Sequence, residues 1–185
     1  MARYNYATKG IVPEHTAKAV GVALPISTKT SVEVCGFVKN KTLEKAKLLL
    51  QGVIDKKVVV PFKKFNKDVS HKKGKIAAGR YPEKTCKEIL KLLESVEANA
   101  QFKGLNTANL VIKSIIANSA SRSWHYGRQH RRKMKRTNIE VVLEEKALKE
   151  EKKKPKKEAK KEEKPKAEKK EESPKKAKPS EEAKK

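Results

Sequence analysis

The side chains best suited to bind a charged partner lie at positions 118–136, where seven Lys or Arg occur among nineteen residues without any acidic residue. Trp124 and Tyr126 stand among these charges, together with His125 and His130. Cations bind phosphate groups and aromatic rings stack on bases, so the mixture is typical of a surface that binds irregularly folded or single-stranded nucleic acid. We name residues 118–136 the finger and interpret it as a contact for a polyanion with stackable faces.

A second segment of the same kind lies at residues 61–81 and is named the basic loop. It contains seven Lys or Arg against a single acid, Asp68, and Phe62, Phe65 and Tyr81 are interleaved with the charges. A charge run is usually a solvated surface, and that is the alternative interpretation. The aromatic residues and the presence of two such segments favour binding.

The candidate contact residues are most of the cations and some of the aromatic residues of these two segments, with one finger glycine and one N-terminal arginine. The cations would supply most of the affinity by neutralising phosphates, and the aromatic rings would stack on bases. These candidates are Arg3, Lys63, Lys64, Lys72, Lys73, Lys75, Arg80, Tyr81, Arg122, Trp124, His125, Tyr126, Gly127, Arg128, Arg131, Arg132, Lys133, Lys135 and Arg136.

The overall charge points to the same kind of partner. The chain has 185 residues, with 47 Lys or Arg against 22 Asp or Glu and a net charge of +25. Residues 144–185 hold 18 Lys and 12 Glu, which leaves 29 basic and 10 acidic residues in positions 1–143. The excess therefore lies on the part that folds, where neutralised phosphates would release counterions and so favour nucleic-acid binding. A merely soluble basic surface is the alternative.

Catalysis and metal binding require converging groups, and the sequence offers none. His125 and His130 stand five residues apart with no acid nearby, and the acids of positions 1–143 are scattered. Cys35 and Cys86 fall on apolar faces of predicted helices, where a free Cys behaves as a small hydrophobe. A Cys–His nucleophile pair is an alternative that the sequence leaves open. We predict a protein that is not an enzyme and has no metal site or cofactor.

Strands on both sides of the finger predict how it is held. Residues 109–117 and 137–143 are rich in Val and Ile, which favours an antiparallel pair and makes the finger the end of a β-hairpin at about 109–143. A connection of this length is far longer than the usual hairpin loop of about two to five residues, and it is expected to be either functional or disordered.

Alternation of apolar and polar residues predicts one buried face in each arm of the hairpin. In the first arm, Leu110, Ile112 and Ile116 are expected on that face. In the second arm, Glu140 and Glu144 are expected on the exposed face, between the apolar residues.

The remaining elements complete an α+β fold. Apolar residues at helical spacing predict helices at about 28–40, 43–54 and 82–103. Residues 17–26 are a weaker strand candidate, and a proline in this segment places it at a sheet edge. We predict a small antiparallel three-stranded sheet packed on three helices, with a long basic β-hairpin protruding from it.

The two ends of the chain differ from this body. After Glu145 the composition changes to Lys, Glu, Ala and Pro, so we predict a nucleic-acid-binding domain at 1–146 and a disordered tail at 147–185. The N-terminal arm with Tyr4 and Tyr6 is expected to be ordered only when bound. No apolar run approaches the ~20 residues of a membrane span and no signal peptide is evident, so a cytoplasmic protein is expected.

The order of several short motifs resembles a known family. The motifs are Val-Pro-Phe-Lys-Lys-Phe-Asn at 60–66, Gly-Arg-Tyr-Pro at 79–82, Asn-Ala-Gln-Phe-Lys-Gly-Leu at 99–105, Gly-Arg at 127–128, Lys-Arg-Thr at 135–137 and Ile-Glu-Val-Val at 139–142. In this combination the chain resembles the universal large-subunit ribosomal protein that is numbered twenty-two in bacteria and seventeen in eukaryotes. The resemblance covers about residues 3–145 and is to the archaeal and eukaryotic branch.

This resemblance implies a structural constituent of the large ribosomal subunit that binds large-subunit ribosomal RNA and aids subunit assembly. It also implies a hairpin that extends into the wall of the nascent-peptide exit tunnel. The implied partners are the ribosomal RNA, neighbouring ribosomal proteins and the nascent chain, with the protein a monomer within the ribosome and no membrane partner. The alternative from another class is a histone-like protein that binds and compacts DNA, which the Lys-Pro-Lys sequences of the tail suggest.

Overall fold

The computed structural model describes residues 4–8 and 12–146, so the predicted tail at 147–185 and the candidate Arg3 lie outside the described residues. The predicted α+β architecture, with three helices and a three-stranded antiparallel sheet, is confirmed. The elements in chain order are β1 (Thr16–Leu24), α1 (Thr28–Val38), α2 (Leu43–Ile54), β2 (Val60–Pro61), β3 (Gly79–Arg80), α3 (Glu83–Phe102), β4 (Leu110–Ser119) and β5 (Thr137–Glu145).

The main sheet has the order β1-β5-β4, so the last strand of the chain lies at its centre. Ile139 of β5 pairs with Gly21 on one side and Ala117 on the other. The weak strand candidate is confirmed as β1, and it lies at a sheet edge, while Pro25 follows the end of the strand. The hairpin arms that carry the finger are thus a central strand and its neighbour.

The helices pack on the sheet face that carries Ile139, Val141 and Leu143, which are fully buried. The helix α3 contacts both β1 and β5 and also packs against α2, while α1 lies against β4. The end of α3 is fixed by Gly104, whose φ of +73° is a conformation that favours glycine. Side chains of all three helices and the sheet form one apolar core.

A β-bulge changes the predicted burial pattern of β4. The register with β5 shifts between Ile112 and Ser114, which leaves Lys113 as an extra residue. Beyond the bulge the alternation has the opposite phase, so Ile115 is buried while Ile116 is only half-buried. The prediction that Ile116 faces the core is therefore wrong. It counted a regular alternation from Leu110, and the inserted Lys113 reverses the side of each residue after it.

The prediction of a single buried face is also wrong for β5, because the N-terminal arm covers its other side. Glu140 is only 2% exposed. Its carboxylate accepts hydrogen bonds from the Tyr4 hydroxyl at 3.0 Å, the Ala7 amide at 2.8 Å and the Asn118 side chain at 2.9 Å. The arm is thus held on the body at residues 4–8, contrary to the expectation that it is ordered only when bound. Burial, with a smaller effect of Glu140, raises the pKa of Tyr4.

The basic loop is closed by a short strand pair that the sequence did not predict. The strands β2 and β3 pair antiparallel, with Pro61 opposite Gly79. A Cβ atom on Gly79 would lie 2.5 Å from Val59 Cγ1 and 3.3 Å from the Val60 carbonyl oxygen. Only glycine fits this close approach, so Gly79 determines how tightly the loop is closed.

Both cysteines are buried in the core, as predicted. Burial raises the pKa of each thiol, that of Cys35 and that of Cys86, to about 12. Neither thiol is therefore an available nucleophile near neutral pH.

We predict that Gly79→Ala lowers the free energy of unfolding by roughly 1–3 kcal/mol, because the added methyl group overpacks the β2–β3 contact. Gly36→Ala is the matched control, since a Cβ atom at that position of α1 meets no atom within 4 Å. It should raise the free energy of unfolding by about 0.5–1 kcal/mol, because alanine favours a helix interior. Urea unfolding measures both changes, and equal midpoints for the two variants would contradict the role of Gly79.

We predict that neither cysteine of the native protein reacts with dithiobis(nitrobenzoate) at pH 8. A thiol with a pKa of about 12 is ionised in only about one molecule in 10⁴ at that pH, and burial also excludes the reagent. Both thiols should react after unfolding in guanidinium chloride, where their pKa returns to about 8.5. Prompt release of the coloured thiolate by native protein would show that the core opens.

Candidate nucleic-acid interface

Backbone hydrogen bonds continue the β4–β5 pairing into the finger, past the ends of both strands. The Ala120 amide donates to the Arg136 carbonyl at 3.1 Å, and the His125 amide donates to the Arg132 carbonyl at 2.9 Å. The finger is therefore a narrow two-stranded ribbon rather than an open loop. Gly127, with a φ of +62°, starts the turn at its end.

The finger side chains are turned to solvent, and every residue from 121 to 133 is exposed. Trp124 is 57% and Tyr126 86% exposed, which is unusual for large aromatic rings without a partner. The Lys133 ammonium lies 4.5 Å from the centre of the Trp124 ring. Candidate residues on this exposed ribbon are Arg122, Trp124, His125, Tyr126, Gly127, Arg128, Arg131, Arg132 and Lys133.

The buried carboxylate of Glu33 in α1 holds the start of the basic loop. It accepts hydrogen bonds from the backbone amides of Lys63 at 3.2 Å, Lys64 at 2.7 Å and Phe65 at 2.7 Å. Glu33 thereby fixes the loop without pairing with any of its charged side chains. Lys63 and Lys64, both candidates, are exposed beside this anchor. Sequence reasoning missed Glu33, because the sequence does not show which distant backbone amides donate to a carboxylate on a helix.

Aromatic rings hold other cations of the basic loop. The Arg80 guanidinium lies 5.9 Å from the centre of the buried Phe62 ring, and the Lys72 ammonium lies 5.8 Å from that of Tyr81. These contacts orient the charges without neutralising them. The candidates Lys73 and Lys75 are exposed at a more distant turn of the loop.

Two surface cavities share Lys135 in their walls, and one of them brings the basic loop and the root of the finger together. One has a volume of about 460 Å³ and is lined by Lys84 and by finger residues that include His125, Arg132 and Lys135. The other has a volume of about 510 Å³ and lies between the basic loop and the start of α1, with Lys135 again in its wall. Segments more than fifty positions apart in the sequence thus form one continuous basic surface. No acidic residue lines either cavity in the described part of the chain.

Two cations of this surface were missed by sequence reasoning. Lys29 lies in the first turn of α1 and lines the larger cavity, and Lys84 lies in the first turn of α3 and lines the smaller one. A cation in the first turn is unfavourable for the helix dipole. That mismatch was the available sign in the sequence that these lysines were further candidates.

The cations of the finger and of the basic loop have no acidic partner within the described residues. Arg136 instead donates to the Ala23 carbonyl at 3.1 Å, and Arg80 donates to the Asp68 carbonyl at 3.4 Å. Lysines outside these segments do form ion pairs. Those pairs are Lys47–Glu97, Lys56–Glu83, Lys57–Asp55 and Lys113–Glu144.

Within residues 4–8 and 12–146, no cluster of three or more His, Cys, Asp or Glu side chains that could hold a metal ion is present. None of the helices in this part is long and apolar enough to cross a membrane.

The chain is similar to proteins of one family. The family model described as ribosomal protein L22p/L17e matches residues 19–144. The large ribosomal subunit protein uL22 of Archaeoglobus fulgidus is 42% identical over 151 residues, which cover 78% of this chain and 97% of the relative. The protein of the same name from Methanosphaera stadtmanae is 43% identical over 150 residues, covering 77% and 96%. That from Methanococcus aeolicus is 40% identical over 152 residues, covering 78% and 99%. The sequence resemblance is thereby confirmed, and the chain belongs to the ribosomal protein L22p/L17e family.

Proposed function

We propose that this protein binds large-subunit ribosomal RNA through the finger and the basic loop, and that it helps the large subunit to assemble. The family is one of structural ribosomal proteins, so the chain is not an enzyme. The observation that carries the proposal is the contrast in charge pairing. Four lysines outside the two candidate segments, Lys47, Lys56, Lys57 and Lys113, have acidic partners, whereas the cations of the two candidate segments have none among the described residues.

RNA would bind mainly by phosphate neutralisation. Unpaired cations on a ribbon and in two cavities can approach phosphates that follow a curved path, as in folded RNA. The exposed rings of Trp124 and Tyr126 would stack on unpaired bases, and these rings have no apolar surface of the protein to cover them. Duplex DNA offers no unstacked bases, and family membership also disfavours the histone-like alternative.

The finger would extend into the wall of the nascent-peptide exit tunnel, with its tip beside the nascent chain. Support comes from its form, because a narrow two-stranded ribbon with solvent-exposed cationic and aromatic side chains could contact surrounding RNA. The body would lie on the ribosomal RNA beside neighbouring ribosomal proteins, as a monomer within the cytoplasmic ribosome. In this proposal residues 1–146 form the RNA-binding domain, and the tail at 147–185 is not required for incorporation.

We predict that replacing Arg128, Arg131 and Arg132 together by Ala weakens binding to large-subunit ribosomal RNA. The salt slope, which is the slope of the logarithm of the binding constant against the logarithm of the salt concentration, should fall in magnitude by about 2–3. Each lost phosphate contact removes about 0.7–0.9 from this slope. The matched control removes three other exposed cations, Lys45, Lys87 and Lys91, which have no assigned contact. Filter binding at several salt concentrations measures both. Equal losses in the two variants would show that only net charge matters, and equal affinity for duplex DNA would revive the histone-like alternative.

We predict that deleting residues 147–185 leaves incorporation into the large subunit within about twofold of the full chain, because the excess charge lies before this segment. Sedimentation of cell extracts in sucrose gradients measures the share of protein that travels with the subunit. A finger variant lacking the three arginines serves as the comparison that should run free. Loss of incorporation on tail deletion alone would contradict the proposed division of the chain.

A further inference from the structure

We propose that the cavity between the basic loop and the start of α1 holds one unstacked nucleotide of the bound RNA, with its base on the Phe65 ring. This inference rests on the proposed function and deepens it. It assigns a ligand unit to residues such as Lys29 and Phe65, which were not among the candidates from the sequence.

The cavity has the size and charge that a nucleotide requires. Its volume of about 510 Å³ falls within the range of roughly 300–1,000 Å³ that is usual for small-ligand pockets. Five cations line it, and they come from α1, from the basic loop and from the root of the finger. They are Lys29, Lys64, Lys67, Arg80 and Lys135. Such an arrangement surrounds a phosphate from several sides, which a flat basic surface does not.

Phe65 supplies the surface for a base. Its ring is half-buried, and its backbone amide is fixed by the 2.7 Å hydrogen bond to Glu33. The Lys29 ammonium lies 5.9 Å from the ring centre, on an exposed and flexible side chain that can move aside. The neighbouring Phe62 ring is only 5% exposed and therefore cannot serve in the same way.

Polar groups beside Phe65 can bind the edge of the base. Asn66 and Ser27 line the same cavity, and an amide and a hydroxyl together offer donors and acceptors. The Thr30 hydroxyl is already engaged, since it donates to the Ser27 carbonyl at 2.9 Å. A phosphate alone would need the cations but neither the ring nor these groups, so the composition of the wall favours a whole nucleotide.

The first test compares the binding of full-length variants to large-subunit ribosomal RNA. Phe65→Leu keeps the apolar bulk that packs the loop but removes the aromatic face, and should weaken binding by roughly 5- to 150-fold, as expected for the loss of one base stack. Phe65→Tyr should restore affinity. The salt slope should stay unchanged in both, because no phosphate contact is lost. Phe102→Leu is the matched control, since Phe102 is 94% exposed and outside the cavity.

The outcomes separate the two proposals. If wild-type protein does not prefer the ribosomal RNA to duplex DNA, the proposed function fails. If wild type binds that RNA and Phe65→Leu binds as well as Phe102→Leu, only the nucleotide site fails. A loss in Phe65→Leu that Phe65→Tyr does not restore would mean that the ring has a packing role, and would also overturn the site.

The second test uses small probes on isotope-labelled full-length protein. Adenosine 5′-monophosphate should shift the backbone NMR signals of Phe65 and Asn66, whereas inorganic phosphate at the same concentration should shift only signals near the cations. Phe65→Leu should abolish the difference between the two probes. Identical shift patterns for both probes in wild type would show that the cavity binds phosphate without a base, and would overturn the proposal.

Discussion

Residues 1–143 contain 29 basic and only 10 acidic residues, and this imbalance constrains how the fold can be held together. Acids that paired with the cations would remove the charge on which the proposed RNA binding depends. The two buried acids, Glu33 and Glu140, instead accept hydrogen bonds from neutral groups, which are backbone amides, a tyrosine hydroxyl and a side-chain amide. Each carboxylate attaches an irregular segment to the core and leaves the surrounding cations free of acidic partners. Repulsion among those cations is a cost to folding that RNA would relieve.

The same arrangement reduces the conformational entropy that the protein would lose on binding. The basic loop is held by Glu33, closed at Gly79 and stiffened by Arg80 on Phe62 and Lys72 on Tyr81. Its backbone is therefore ordered in the protein alone, so the proposed association with RNA would cost less conformational entropy. The finger gains order in another way, because its ribbon continues the central strand of the sheet.

The sequence predicted what depends on local pattern. Helical spacing located α3 closely, and the two basic segments contain most of the cations that line the two cavities. It did not predict what depends on contacts between distant segments. The bulge at Lys113 shifts the burial of Ile116, and Glu140 is buried because the N-terminal arm lies over it. The cavities could not be predicted either, because Lys29 and Lys135 line the same cavity only in the folded chain.

The continuity of the finger with β4 and β5 restricts how its length can vary. Each residue in an extended arm advances the tip by about 3.3 Å and reverses the side to which the next side chain points. Trp124 pairs with Lys133 across the ribbon, so the face they share depends on how many residues separate them from the core. Inserting one residue into each arm would turn these side chains to the opposite face of the ribbon. Only paired insertions of two residues per arm preserve the orientation, so viable finger lengths should differ in steps of about 6.6 Å.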